Sequence, residues 1–312
     1  MTFRKIPEGT ATICAGYGPP KEGKTRSALA GCPTAHVIAN NSESVRSQFA
    51  ALGYDNEGTR ARTIHIGNDA EKILTVMEGL VVKAKQGRMK GSAIIFDDFN
   101  MVIAGATARR AGLGSVWNAY RWAKHFLTVN LVDLCGQVGV PVIFIMHEEA
   151  PREINGFVVQ KGRPLLPGVE LPKIFPGIPS FIAHVEHDDE DPLWPYHYST
   201  SPSERWVAGD RYDVAPEKCP LNFGEILRQA NFDIAMPKKS LPWFMGAVDT
   251  ITGQLLDDNL NVGEVINSNA IALNEKTDAS EEQIIWAINT ARSRAQMSVF
   301  KKSTLARFLE KF

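Results

Sequence analysis

Residues 18 to 25 read GPPKEGKT, a complete match to G-x-x-x-x-G-K-[ST], and the apolar run TICAG at 12 to 16 leads into it. Strand, glycine-rich turn and helix in that order constrain the chain to an α/β sheet with the turn at the carboxyl end of a strand. A phosphate tail needs several backbone N–H donors converging on one concavity, and a turn of this kind opening a helix supplies them without side-chain obstruction. The stretch Gly18, Pro19, Pro20, Lys21, Glu22, Gly23, Lys24, Thr25 and Arg26 is therefore expected to hold ATP or a related triphosphate. Lys24 is expected to set its ammonium on the β- and γ-phosphates, and the Thr25 hydroxyl to hold a Mg2+ ion bridging the same two.

Apolar runs suited to buried strands alternate with helix-length segments from this point to about residue 146. TAHVIAN (34 to 40) is followed by helical SESVRSQFAALG, RTIHIG (62 to 67), a helix from Asp69 to Lys85 and SAIIFDDF. A long helical stretch, VWNAYRWAKHFLTVNLVDLCGQVG, then leads to PVIFIMHEE. The pattern predicts an α/β fold with a mainly parallel, helix-flanked sheet. The apolar run ending in Asp97 has the form of the second nucleotide-binding motif, whose carboxylate would share the metal with Thr25.

Composition excludes little. A formal net charge of −1 offers no global attraction for nucleic acid, so such binding has to come from local basic segments. No stretch approaches the roughly 18 apolar residues that span a bilayer, which argues against a membrane segment. MTFRKIPEG lacks the apolar core of a signal peptide, and Cys14, Cys32, Cys135 and Cys219 show no paired spacing. The expectation is a reducing cytoplasm, that of the host if the chain is phage-encoded.

Taken together, the phosphate loop, AHVIANNSE, RTIHI, AIIFDD and PVIFIMHE resemble the core of RecA-like P-loop ATPases, most nearly the phage single-strand annealing and recombination ATPases. The resemblance covers about residues 8 to 240 and implies a RecA-like ATPase core over 1 to 240 with a small, helical appendage over 241 to 312. It implies ATP hydrolysis with Mg2+, and a carboxylate after the second strand that orients the attacking water. Glu43 stands nearest that place; a slightly tighter alignment puts Asn41 there, and Asp98 is a further candidate for the general base. With Asn41 in the position hydrolysis would be slow, because an amide accepts no proton. His147, at the end of the fifth strand, falls where the family senses the γ-phosphate.

The family lines its DNA path with segments after the fourth and fifth strands. Here these are NMVIAGATARRAGLGSVW, with Arg109 and Arg110 and a composition suited to a mobile loop, and EEAPREINGFVVQKGRP, with Arg152, Lys161, Arg163 and Phe157 as a base-stacking candidate. SERWVAGDRYDV resembles the strand that presents a basic finger to a neighbouring subunit's nucleotide. Arg211 is the candidate, although Gly209 replaces a lysine common in relatives; a turn arginine paired with Asp210 or Asp213 is the plainer reading. CPLNFGEILRQANFD resembles the helix that closes the core.

HVEHDDEDP, with His184, His187 and nearby His197, reads as a solvated acidic loop rather than a metal site. Trp117, Trp122 and Trp194 read as core or interface anchors. From Arg292 to Phe312 basic and apolar residues interleave, suiting either a DNA- or subunit-docking helix pair or a helix packed on the core; Ser280 is placed to cap a helix. The expected function is an oligomeric, ATP-dependent protein that handles single-stranded DNA in phage recombination or annealing. Its expected partners are single-stranded DNA, other copies of itself in a filament or ring, and a phage single-strand-binding protein. A ring-shaped translocating motor and a nucleotide-switched assembly protein with little turnover are the alternatives.

Overall fold

The computed structural model describes residues 12–54, 56–188, 190–191, 194–211, 213, 215, 217–230, 232–235, 245–257, 260–277, 281–295 and 297. In chain order the elements run β1 (Ile13–Gly18), α1 (Lys24–Gly31), β2 (His36–Ala39), α2 (Ser42–Ala51), α3 (Glu57–Arg62), β3 (Thr63–His65), α4 (Ala70–Lys85) and β4 (Ile94–Asp97). They continue with α5 (Phe99–Leu113), α6 (Val116–His125), a π-turn at Phe126–Asn130, α7 (Leu131–Val138), β5 (Val142–Glu149), β6 (Arg152–Ile154), β7 (Phe157–Gln160) and β8 (Arg163–Pro164). After α8 (Leu171–Ile174) come β9 (Phe181–His187), β10 (Tyr196–Ser199), β11 (Gly209–Asp210), β12 (Lys218–Pro220) and α9 (Phe223–Gln229). The last three are α10 (Met245–Leu255), α11 (Val262–Thr277) and α12 (Glu281–Arg294).

The main sheet has the order β12-β10-β9-β1-β5-β4-β2-β3. From β9 to β3 every neighbouring pair is parallel, whereas β10 and β12 are antiparallel additions. This is a mixed α/β fold with a mostly parallel central sheet. Its strands are apolar on both sides because helices cover both faces. Ile38, Ile94, Phe96, Phe144 and Tyr17 point to the side packed by Ile73, Met77 and Leu80 of α4 and by Val102 and Ile103 of α5. Val37, Ile95, Ile143 and Ile145 point to the side packed by Leu29, Val45, Phe49 and α9. β5 lies between β1 and β4, so the turn after β1 and the acidic end of β4 open onto one edge with the end of β5 between them.

Two expectations about local structure are corrected. NMVIAGATARRAGLG is a helix, α5, rather than a mobile loop. Val102, Ile103 and Ala106 recur at helical spacing on its buried side, and Gly105 is there because a Cβ would lie 2.8 Å from the Cβ of Asn68. The start of HVEHDDEDP is strand β9, not a solvated loop: Tyr17 of β1 pairs with His184, which is buried. Trp117 is 81% exposed, whereas Trp194 is buried.

Helices α10 to α12 pack on one another through Val248, Ile251, Val265, Ile266, Ile284 and Ile288. Helix α12 also meets the sheet layer. Trp286 is fully buried in the core on the α9 side, Gln229 donates to the Thr290 hydroxyl (3.0 Å), and Gln283 donates to both carboxylate oxygens of Asp191 (3.1 and 3.0 Å). The expected boundary at 240/241, the Ser280 cap and the basic residues from Lys301 onward lie outside the described residues.

Candidate nucleotide site

β1 ends at Gly18, and the chain turns through Lys21 in the left-handed region (φ 70°) to Gly23 (φ 76°), which precedes the first helical residue, Lys24. A side chain at Gly23 would be strained in this conformation, so glycine there lets α1 start with its free N–H groups turned toward the rim. Lys24 is buried and donates to the carbonyls of Gly18 (3.0 Å) and Pro19. Burial lowers its proton affinity, while Asp98, Glu148, Glu22 and Asp97 oppose that and favour the charged form.

The next residue reaches across to β4. The Thr25 hydroxyl donates to Oδ1 of Asp97 at 2.6 Å. Asp97 is 2% exposed; burial first, and then the adjacent Asp98 charge, push its carboxyl up to about 6, against the pull of the Thr25 hydrogen bond, His147 and Lys24. A buried carboxylate beside a hydroxyl and an ammonium is an arrangement that a divalent cation would stabilise in its charged form. Thr25 and Asp97 are hard oxygen donors that fit Mg2+, which ordinarily takes few protein ligands and fills its octahedron with phosphate oxygens and water.

Asp98 follows with φ 53° and ψ 43°, an uncommon conformation for a residue with a side chain, at the start of α5. That turn sets its carboxylate 3.2 Å from Nε2 of His147, at the end of β5. The His147 backbone N–H donates to the side chain of buried Asn100 (3.0 Å), fixing the strand end against the start of α5. Lys24, Thr25, Asp97, Asp98 and His147 thus come together at the carboxyl edge of β1, β4 and β5.

Glu43 is elsewhere in character. It is exposed in the first turn of α2, and the Asn41 side chain caps that helix by accepting from the backbone N–H groups of Glu43 (3.1 Å) and Ser44 (3.3 Å). Asn40 holds the place beside Asp97, its N–H donating to the Asp97 carbonyl at 3.4 Å.

Sequence reasoning gave Glu148 no role. Its carboxylate is among those acting on Lys24 and lies 2.8 Å from Nε2 of His184. His184 also faces Glu186 (3.3 Å) and stacks on Trp206 (3.6 Å between ring centres). The only signal in the chain was position, one residue beyond His147 at a strand end.

The remaining expected residues are dispersed. Arg211 is exposed and donates to the Gly177 carbonyl (2.8 Å). Its neighbour Asp210 pairs with Phe181, the first residue of β9, so Arg211 stands at the amino end of the sheet, opposite the phosphate loop. Arg109 bonds the Asn68 carbonyl; Arg110 pairs with Glu71 and lies over the Trp122 ring at 4.3 Å. Arg152 is exposed on the β6–β7 hairpin, whose tip shows Phe157 at 75% exposure. Lys161 donates to the Ser203 carbonyl (2.5 Å), and Arg163 pairs with Glu149 (2.8 Å). Pro20, Lys21 and Arg26 are exposed around the phosphate loop. Among the described residues no helix is long and apolar enough to cross a membrane.

No protein-family model matches the chain. No curated protein matches it either. Among solved structures it is similar to the crystal structure of the RadB recombinase, with 14% sequence identity, 64% of this chain and 91% of that chain covered, and a TM-score of 0.36. That likeness is too loose to carry an argument, so the functional reading rests on the chain's own topology and side chains.

Proposed function

We propose that the protein is a RecA-like P-loop ATPase that binds single-stranded DNA in phage recombination or annealing and hydrolyses ATP where subunits of an oligomer meet. The observation that carries the reading is the 2.6 Å hydrogen bond from Thr25 to the buried carboxylate of Asp97, with Lys24 on the same rim. When bound, Mg2+ would supply charge neutralisation between the β- and γ-phosphates. Lys24 exchanges its bonds to the Gly18 and Pro19 carbonyls for phosphate oxygens. Thr25 and Asp97 would hold the metal. Asp98, oriented by His147, accepts the proton of the attacking water. Arg211, too far round the sheet to serve its own site, serves that of the next subunit. Arg109, Arg110, Arg152, Lys161 and Arg163 contact the DNA backbone, and Phe157 stacks on a base.

A second reading, a nucleotide-operated assembly switch with little turnover, is favoured by Asn40 and Asn41 at the end of β2, where an acid would assist hydrolysis. The two are separated by ATP hydrolysis with and without single-stranded DNA, with oligomeric state read in the same samples. DNA-stimulated turnover by an oligomer is the expected result; nucleotide binding with unstimulated or absent turnover moves the assignment to the switch. In the same assay His147→Ala is expected to keep nucleotide affinity within about threefold, under 1 kcal/mol, and to lose the DNA response. Strand unwinding would instead point to a translocating motor.

A further inference from the structure

The amino end of the sheet, away from the phosphate loop, gathers His36, Arg62 and Lys83, with which no carboxylate among the described residues forms an ion pair. β2 and β3 are parallel with Val37 opposite Thr63, so His36, which opens β2, and Arg62, the last residue of α3, lie just before the first paired residues at the same end of the two strands. By strand alternation His36 shares the face of Ile38, the one covered by α4, and the Arg62 charge acts on its ring. The last turn of α4 brings Lys83 to the same end. His36 is 8% exposed, and its Nδ1 makes no hydrogen bond. Arg62 donates one terminal nitrogen to the Pro33 carbonyl (3.2 Å), while its buried Nε has no partner.

Burial first, then Lys83 and Arg62, bring the His36 imidazole down to about 4, and no described carboxylate is among the groups acting on it. The C-terminal dipoles of α3 and α4 account for cations in their last turns. They do not account for a buried guanidinium N–H left unbonded, because such groups are almost always paired.

We propose that His36, Arg62 and Lys83 form a binding site for a small oxyanion of the phosphate class, separate from the phosphate loop and independent of the nucleotide reading. An oxyanion there accepts from Arg62 Nε, is balanced by Lys83, and holds a proton on His36 so that Nδ1 becomes a second donor. The recess favours a single small anion over a polymer backbone, since His36 is almost wholly enclosed.

The test follows the His36 imidazole resonance of the full-length protein through a pH titration, assigned by its loss in His36→Asn. Titrations are compared in inorganic phosphate, in chloride at equal ionic strength, and with a short single-stranded oligonucleotide. Phosphate is expected to raise the midpoint by about one unit, a tenfold preference for the protonated form, and Arg62→Gln, checked for folding by its melt, is expected to lose the effect. No shift in phosphate, the same shift in chloride, a shift retained by folded Arg62→Gln, or a shift with the oligonucleotide alone would each overturn the proposal.

Discussion

Asp97→Asn is expected to make the nucleotide-free protein more stable and to stop its turnover. An aspartate in an unfolded chain titrates near 3.8, whereas burial moves Asp97 to about 6. Between those values the unfolded chain releases a proton that the folded chain keeps. Stability therefore falls as pH rises through this window, and the full penalty is present above it. The difference of about 2 units corresponds to about 3 kcal/mol, an upper figure for what the neutral amide recovers. Asparagine retains an oxygen to accept from Thr25 but brings no charge to a cation. Hydrolysis is expected to drop about 10²-fold or more, as when one electrostatic contact to a transferring group is removed. Thermal melts without Mg2+ and nucleotide should show the variant ahead at pH 8 and level with the parent below pH 4. A variant less stable at pH 8, or one that hydrolyses ATP normally, would contradict this account of the site.

Trp286→Ala is expected to be the most damaging single truncation among the C-terminal helices. The indole is fully buried, and it belongs to the core under α9 rather than to the cluster joining α10, α11 and α12. Removing a buried tryptophan typically costs about 3–5 kcal/mol. That cost also falls on the neighbouring bonds from Gln229 to Thr290 and from Gln283 to Asp191, which hold their geometry only while α12 is seated. A single denaturant transition, shifted by that amount, is the expected result. A loss under about 1 kcal/mol, or a separate early transition with the rest unchanged, would show that α12 is not part of the folded core.

The parts of the fold legible in the chain were those in which local sequence alone decides structure. GPPKEGKT fixes a turn because its glycine has to take a positive φ, and VIFIM can only be a buried strand because it is apolar on both faces. Asp97 was legible as the polar end of such a strand. What escaped were features set by contacts between distant segments. Helix α5 was obscured by Gly105, which serves a close approach to Asn68 and does not end the helix. The acidic run after His184 hid a strand, because pairing with β1 and β10 carries β9 on to His187. Asp98 was readable as an acid near the site, but its pairing with His147 depends on an αL turn after β4 and on Asn100 tying down the end of β5. Glu148 gave still less warning, since its importance comes from the proximity of Lys24 and His184 in the folded sheet.

The most direct test of the central claim, that Lys24, Thr25 and Asp97 form a nucleotide site, is equilibrium binding of ATP to the wild-type chain and to Lys24→Ala, with and without Mg2+. The account predicts Mg2+-dependent binding by the wild type and a loss of about 10²-fold or more in the variant, roughly the 2.7 kcal/mol of a desolvated charged contact to phosphate. Equal binding by the two proteins, or no binding by either, would contradict it.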